Sequence, residues 1–389
     1  MSRLAILQMA DEPQIVSTSV MLRAAGYDRV KVCGSHLRRA LVKAGCDTVL
    51  SVSQMVNLGY DELDHRYYHG EATPEDMDRC DLFVEIKVRN VEKITAQWPR
   101  LKGRVLYWRV NGAQPEICPK GGDEVNLPCP VATACLWYGP ERYRWGRDVS
   151  GQKQSNLEHL ASRPITLEEQ CQLGLNVILH DTESNSYVFW PPYPRSRDYD
   201  SAYVARAVSD STSDPHEPPF TICHSVRAWG YGPIVDACRE LGVRMYGNNS
   251  PAGQVPHSRV PEIVRRGLAL VHLKSVDCPG WALYESLLAG CPVVTGRLLN
   301  SRMLAYQLLE HEETCLEFGV PASLEYGRGD MEYGRCLSDI KDALARLSDP
   351  QENRRIGENG RKRLNQLMWS DKNPDHVRTF REFMGRHFK

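Results

Sequence analysis

The sequence predicts an α/β protein made of two doubly wound, Rossmann-like domains. Three observations carry that prediction. From residue 220 onward, short apolar runs alternate with helical patterns that stop at glycine, as βαβ units around a parallel sheet do. A strand–Gly turn–helix–strand unit also stands near the start, over 28–52. Between the halves, the run from Ser209 to Pro219 holds three prolines and no apolar residue, the composition of a linker. A length of 389 residues suits two domains. The expected boundaries are 1–213 for the first domain, 214–373 for the second, and 374–389 for a terminal helix.

In chain order, the apolar run after Met1 is cut off by Asp11 and Glu12, too soon for a signal peptide, and reads as a first strand. Asp28–Cys33 is a strand, Gly34-Ser35 a turn, His36–Ala44 a helix, and Thr48–Val52 the next strand. Asp81–Ile86 and Gly103–Trp108 are further parallel strands, and Tyr187–Trp190 is one more. The rest of 114–215 shows no clear period. In the second half, strands are expected at Phe220–His224, Val243–Tyr246, Leu268–Leu273 and Pro292–Thr295. Helices are expected at Ile234–Leu241, Val260–Arg266, Trp281–Ala289 and Arg302–Leu309. Three helices follow: one from Cys336, a second over 354–367, and a last one at Thr379–Phe388.

Composition excludes several classes. The chain is 42% hydrophobic and 25% charged, ordinary for a globular protein, and has no run approaching a transmembrane helix. Its 13 cysteines are odd in number and include no C-x-x-C pair. Cys33, Cys223, Cys238 and Cys291 lie in apolar runs, as buried thiols do. This argues against a disulfide framework or zinc site and for a cytoplasmic protein. A net charge of −1 argues against binding DNA or membrane by bulk charge. Locally, eight acids and two arginines over 61–81 give way to seven Lys/Arg over 82–109, which read mostly as solvated faces.

The segment from Lys274 to Val294, KSVDCPGWALYESLLAGCPVV, carries the chemistry. A strand ends near Lys274, a loop bears Asp277 and Gly280, and a helix opens at Trp281. Ligands of open α/β sheets bind at the carboxyl ends of strands. The N–H groups of a helix amino terminus there suit a phosphate or diphosphate, and glycine lets the backbone come close. Glu285, one turn into that helix, is placed to accept hydrogen bonds from sugar hydroxyls. A single histidine on an apolar strand, such as His224 or His272, reads more often as structural.

This segment resembles retaining glycosyltransferases of the GT-B fold, whose two Rossmann-like domains face a central cleft. Their donor domain carries an acid, seven intervening residues and a Glu, then small residues, Gly, Pro and a valine strand. Asp277, Glu285 and Ala289-Gly290-Cys291-Pro292-Val293-Val294 follow that pattern. The resemblance covers roughly 220–389. It implies that Asp277 contacts the transferred sugar, Glu285 the ribose, and the N–H groups of Gly280, Trp281 and Ala282 the sugar and diphosphate. It further implies a last helix that packs back on the first domain. Two positions depart from the pattern. Asp277 stands where the family usually has Glu, and His224 and Trp229 stand where it usually has a phosphate-binding Arg and Lys. Arg227 and Lys274 are the candidates to supply that charge.

The implied activity is transfer of a sugar from a nucleotide-diphosphate sugar, UDP- or GDP-linked, to a hydroxyl acceptor, with no metal and no other cofactor. On the acceptor side stand Gly34, Asn111 and the run Glu141-Arg-Tyr-Arg-Trp-Gly-Arg147. Arg142, Arg144 and Arg147 interleaved with aromatics suit a phosphate-bearing acceptor with stackable groups, such as a hydroxymethylated DNA base. The alternatives are an envelope polysaccharide or lipid-linked sugar acceptor, or a non-catalytic nucleotide-sugar binding protein of the same fold. A monomer or homodimer with no stable membrane insertion is expected.

Overall fold

The computed structural model describes residues 2–8, 12–46, 68–85, 90–109, 134–137, 177–180, 187–189, 196–211, 217–222, 238–247, 250–272, 281–296, 308–318 and 333–388. The chain divides into two compact units: Met1–Arg142 with Glu168–Pro194 and Met368–Lys389, and Tyr143–Leu167 with Arg195–Leu367.

The first unit is built on strands β1 (Leu4–Gln8), β2 (Arg29–Cys33), β3 (Glu71–Ala72), β4 (Leu82–Glu85), β5 (Val105–Arg109), β6 (Ala134–Trp137), β7 (Val177–His180) and β8 (Tyr187–Phe189). They form one sheet in the order β3-β2-β1-β4-β5-β6-β7-β8. Strand order reverses around β1, which pairs in parallel with β2 (Leu4 with Arg29) and with β4 (Ala5 with Leu82). Every side chain of β1 and β4 is buried, as strands covered on both faces require. Leu4, Ile6, Phe83 and Val105 pack with Leu37 and Leu41 of the Ser35–Lys43 helix and Ile94 of the Val91–Gln97 helix. The expected parallel sheet acquires an antiparallel end, because β7 runs against both β6 and β8. These strands of three or four residues are too short to display a period.

The second unit holds β9 (Phe220–Ile222), β10 (Arg244–Tyr246), β11 (Leu270–His272), β12 (Val293–Gly296) and β13 (Leu316–Phe318), in the order β10-β9-β11-β12-β13. All these pairs are parallel. The Val260–Arg266 helix spans the expected residues, and the expected 281–289 helix runs Trp281–Leu288. Gly290 ends the latter with φ +67, its N–H bonded to Leu287 O and the Cys291 N–H to Ser286 O. That paired closure needs the left-handed conformation glycine adopts without penalty.

The Ser196–Ser211 helix belongs to the second unit and overlaps the start of the segment read as a linker. Beyond it, Glu217 forms a bridge with Gly267. Arg206 of this helix is 2% exposed. Its guanidinium donates to the carbonyls of Val264, Arg265, Gly267 and Leu268 and to Asn353 Oδ1 at 2.6 Å. It thereby takes up carbonyls that the end of the 260–266 helix leaves open.

The chain's last helix, Pro374–His387, lies in the first unit. Arg381 Nε donates to Ala24 O, and Arg3 Nη2 donates to Phe388 O. Cys33, Cys46, Cys80, Cys238, Cys291 and Cys315 are buried thiols. Burial pushes those of Cys33, Cys80 and Cys238 up to about 12, so none of the three is a ready nucleophile. Among the described residues, no helix is long and apolar enough to cross a membrane. Nor do three or more His, Cys, Asp or Glu among them gather to hold a metal ion. The strand expected at Thr48–Val52 and residues 302–307 of the helix expected at Arg302–Leu309 lie outside the described residues, and Leu308 and Leu309, its expected end, are not helical.

Candidate functional site

The site is built where β11 leads, through 273–280, into the Trp281–Leu288 helix. From Leu283 to Leu288 every side chain of this helix is buried, which makes it an interior element. One of those residues is Glu285, 2% exposed. A carboxylate at such depth demands a strong partner, because desolvating a charge costs several kcal/mol. One such partner is His257, whose Nε2 lies 2.5 Å from Glu285 Oε1.

His257 comes from a different element, the 3-10 turn His257–Arg259 that leads into the Val260–Arg266 helix. Pro261 in that helix's first turn presets its entry. Glu285 is thus held from a neighbouring connection as well as by its own helix. Trp281 and Ala282 occupy the first turn, both half-buried, with the Trp281 ring 5.5 Å from that of Tyr284. His272 and Thr295, both buried, pair across the carboxyl ends of β11 and β12.

Of the residues singled out in the sequence, Glu285, Trp281 and Ala282 therefore share one helix at this end of the sheet. Asp277, Lys274, Gly280, His224 and Arg227 lie outside the described residues, as do Asn111, Arg142, Arg144 and Arg147. Sequence reasoning missed His257. It lies 28 residues from Glu285 and belongs to no spaced motif. The only local signal is its place just after Val255-Pro256, at the mouth of a helix.

In the first unit, Gly34 stands at the carboxyl end of β2 and opens the Ser35–Lys43 helix with extended backbone angles. The Glu71 side chain fills the space a Cβ would need there, and its Oε2 accepts from the Ser35 N–H at 3.4 Å. Glycine at this position serves a close approach within the unit. At the ends of the neighbouring strands, Gln8 Nε2 donates to Glu85 Oε1 at 3.4 Å, both side chains fully buried. A polar pair thus sits where the strand order reverses around β1, the place at which open sheets take ligands.

No protein-family model and no curated protein sequence matches the chain. Solved structures do. The sucrose-phosphate synthase of Thermosynechococcus elongatus superimposes with a TM-score of 0.51 at 14% identity, over 99% of this chain and 98% of that one. Anabaena Alr3699/HepE in complex with UDP and glucose gives 0.49 at 13% identity, over 99% of both chains. The UDP-glucosyltransferase of Polygonum tinctorium gives 0.42 at 12% identity, over 100% and 98%. Two doubly wound units, and a likeness to the synthase that spans both, establish that the chain has the fold of the GT-B glycosyltransferases.

Proposed function

We propose that the protein is a retaining glycosyltransferase that moves a sugar from a nucleoside-diphosphate sugar to a hydroxyl acceptor. The observation that carries the reading is Glu285. It is a buried carboxylate locked by His257, one turn into a helix at the carboxyl end of a parallel sheet. In the segment Asp277 to Val294 it occupies the position from which the fold's donor domains hold ribose. Asp277 then contacts the transferred sugar. The N–H groups of Gly280, Trp281 and Ala282, with Lys274, Arg227 and His224, hold the diphosphate.

The transition state puts positive charge on the sugar and negative charge on the leaving diphosphate. Preorganised N–H donors and cations act on the second of these. The leaving phosphate takes the acceptor's proton, so no side-chain base is required. A UDP- or GDP-linked donor is the expected substrate.

Glu285→Ala is expected to weaken nucleotide binding by about 1–3 kcal/mol, the cost of leaving buried hydroxyl partners unmade. Asp277→Asn should lower kcat while leaving nucleotide affinity near wild type, since its contact is to the sugar. Calorimetry with UDP and GDP, beside turnover with their sugars, checks both. Unchanged affinity in Glu285→Ala defeats the ribose assignment. A wild-type protein that binds nucleotide sugar but never turns it over supports the non-catalytic alternative.

For the acceptor, the arginine–aromatic run at 141–147 supports a hydroxymethylated DNA base. Labelled sugar should pass to hydroxymethylated duplex and not to unmodified DNA. Arg142, Arg144 and Arg147 changed to Glu should weaken DNA binding strongly but leave donor binding intact. Each arginine removed from a phosphate should flatten the salt dependence by about 0.9 in log–log slope. Product formed only on a saccharide or lipid-linked acceptor selects the envelope-sugar reading instead.

A further inference from the structure

We infer that His257 and Glu285 act as one unit that makes the donor site select ribonucleotides over 2′-deoxyribonucleotides. Glu285 is the group that touches the sugar, and His257 is the positioning residue. The inference rests on the reading of Glu285 as the ribose ligand.

An interior helix whose other buried side chains are Leu283, Tyr284, Ser286, Leu287 and Leu288 gains nothing in packing from a carboxylate. Burying one costs stability, which the short bond to His257 offsets. That bond also restrains the group. With Oε1 held 2.5 Å from the imidazole Nε2, the carboxylate plane cannot turn freely about its terminal torsion. His257 is itself fixed, by a turn running into a helix whose far end is clamped by Arg206. The pair has depth and an outlet: the Glu285 side chain is 3% exposed and the His257 side chain 18%.

An ionised carboxylate only accepts hydrogen bonds, and a ribose diol offers two O–H donors side by side. A 2′-deoxyribose offers one. A site built to bond a hydroxyl rejects the analogue lacking it far more strongly than an apolar pocket rejects a missing methylene, because a buried polar group is left unmatched. The rejection is sharp only if the carboxylate cannot swing away to satisfy itself elsewhere. Holding it is the role assigned to His257.

The test is calorimetry on the full chain with UDP, GDP and ADP, each beside its 2′-deoxy counterpart. The wild type should bind at least one ribonucleotide about tenfold or more tighter than the deoxy form. Glu285→Ala should bring that ratio to about one. His257→Ala should lower the ratio several-fold through weaker ribonucleotide binding, with affinity for the deoxy form nearly unchanged. His257→Gln, which returns an N–H at similar reach, should recover part of the ratio. His257→Asn, whose amide stops short, should behave like His257→Ala and serves if the alanine variant fails to fold. A wild-type ratio persisting in the His257 variants overturns the inference, and so does an equal loss for both nucleotide forms. Wild-type protein that binds ribo and deoxy forms alike overturns it too, yet leaves the nucleotide-donor reading standing. No binding of any nucleoside diphosphate overturns both.

Discussion

Replacing Gly357 by alanine is expected to destabilise the second unit by about 3 kcal/mol, although helix propensity alone predicts a gain of about 1 kcal/mol. Gly357 lies inside the Pro350–Leu367 helix, where glycine is ordinarily a cost. A Cβ built there collides with the carbonyl oxygen of Gly290 and comes within 2.8 Å of its carbonyl carbon. One turn on, a Cβ on Gly360 would stand 2.7 Å from Leu287 Cδ2 and 3.3 Å from Thr314 O. The helix thus meets the closing turn of the Trp281–Leu288 helix backbone to backbone. A backbone carbonyl pinned by the Gly290 turn has no rotamer through which to yield. Gly385, in the Pro374–His387 helix, supplies the control: a Cβ there meets nothing within 4 Å. Gly385→Ala should therefore be neutral or stabilising by up to about 1 kcal/mol. Denaturant titration of both variants checks the opposite signs. A neutral Gly357→Ala would show that the two helices can part at no cost.

That close approach bears on what was legible in the sequence. The run Ala289-Gly290-Cys291-Pro292-Val293-Val294 is readable because several local demands coincide in it. A left-handed helix end, a close helix contact and a fully buried strand each restrict residue choice, and they do so at adjacent positions. The strands β1 and β4 and the Val260–Arg266 helix are readable for a similar reason: the two strands are short, nearly unbroken apolar runs, and the helix repeats a buried valine four residues apart, at Val260 and Val264.

Other elements hid because burial was complete or polar. In the Glu12–Ala24 helix, Ile15, Val16, Ser17, Thr18 and Ser19 are buried in succession, so no amphipathic stripe exists to be seen. In the Ser196–Ser211 helix the inward positions include Tyr199, Ala202 and Arg206, and a charged residue at the third breaks the apolar pattern. The candidate site divides in the same way. Glu285 was legible through a spacing along the chain. His257 was not, since its meaning lies in a bond across 28 residues that only the fold creates.

Arg206→Ala should cost about 3–5 kcal/mol, near the upper end of what single substitutions do. The buried guanidinium has carbonyls and one carboxamide as the partners described above, not a carboxylate. Its removal strands the Gly267 carbonyl and Asn353 Oδ1 in the interior at once. Asn353 is fully buried and its Nδ2 already serves Leu268 O and Leu347 O, so it cannot turn to find a new donor. Arg206→Lys should recover only part of the loss, because an ammonium lacks the planar fork that reaches both the helix end and Asn353. Adding Asn353→Leu to Arg206→Ala should cost less than the sum of the two changes, since the orphaned amide oxygen goes with it. The residues involved lead into β11 and so toward Glu285, but the guanidinium itself touches none of the donor-site residues. A saturating nucleoside diphosphate should therefore raise the melting temperature of Arg206→Lys by nearly the increment seen in wild type, because that increment depends on affinity rather than on starting stability. A variant that folds but has lost the increment would instead place Arg206 in the upkeep of the donor site.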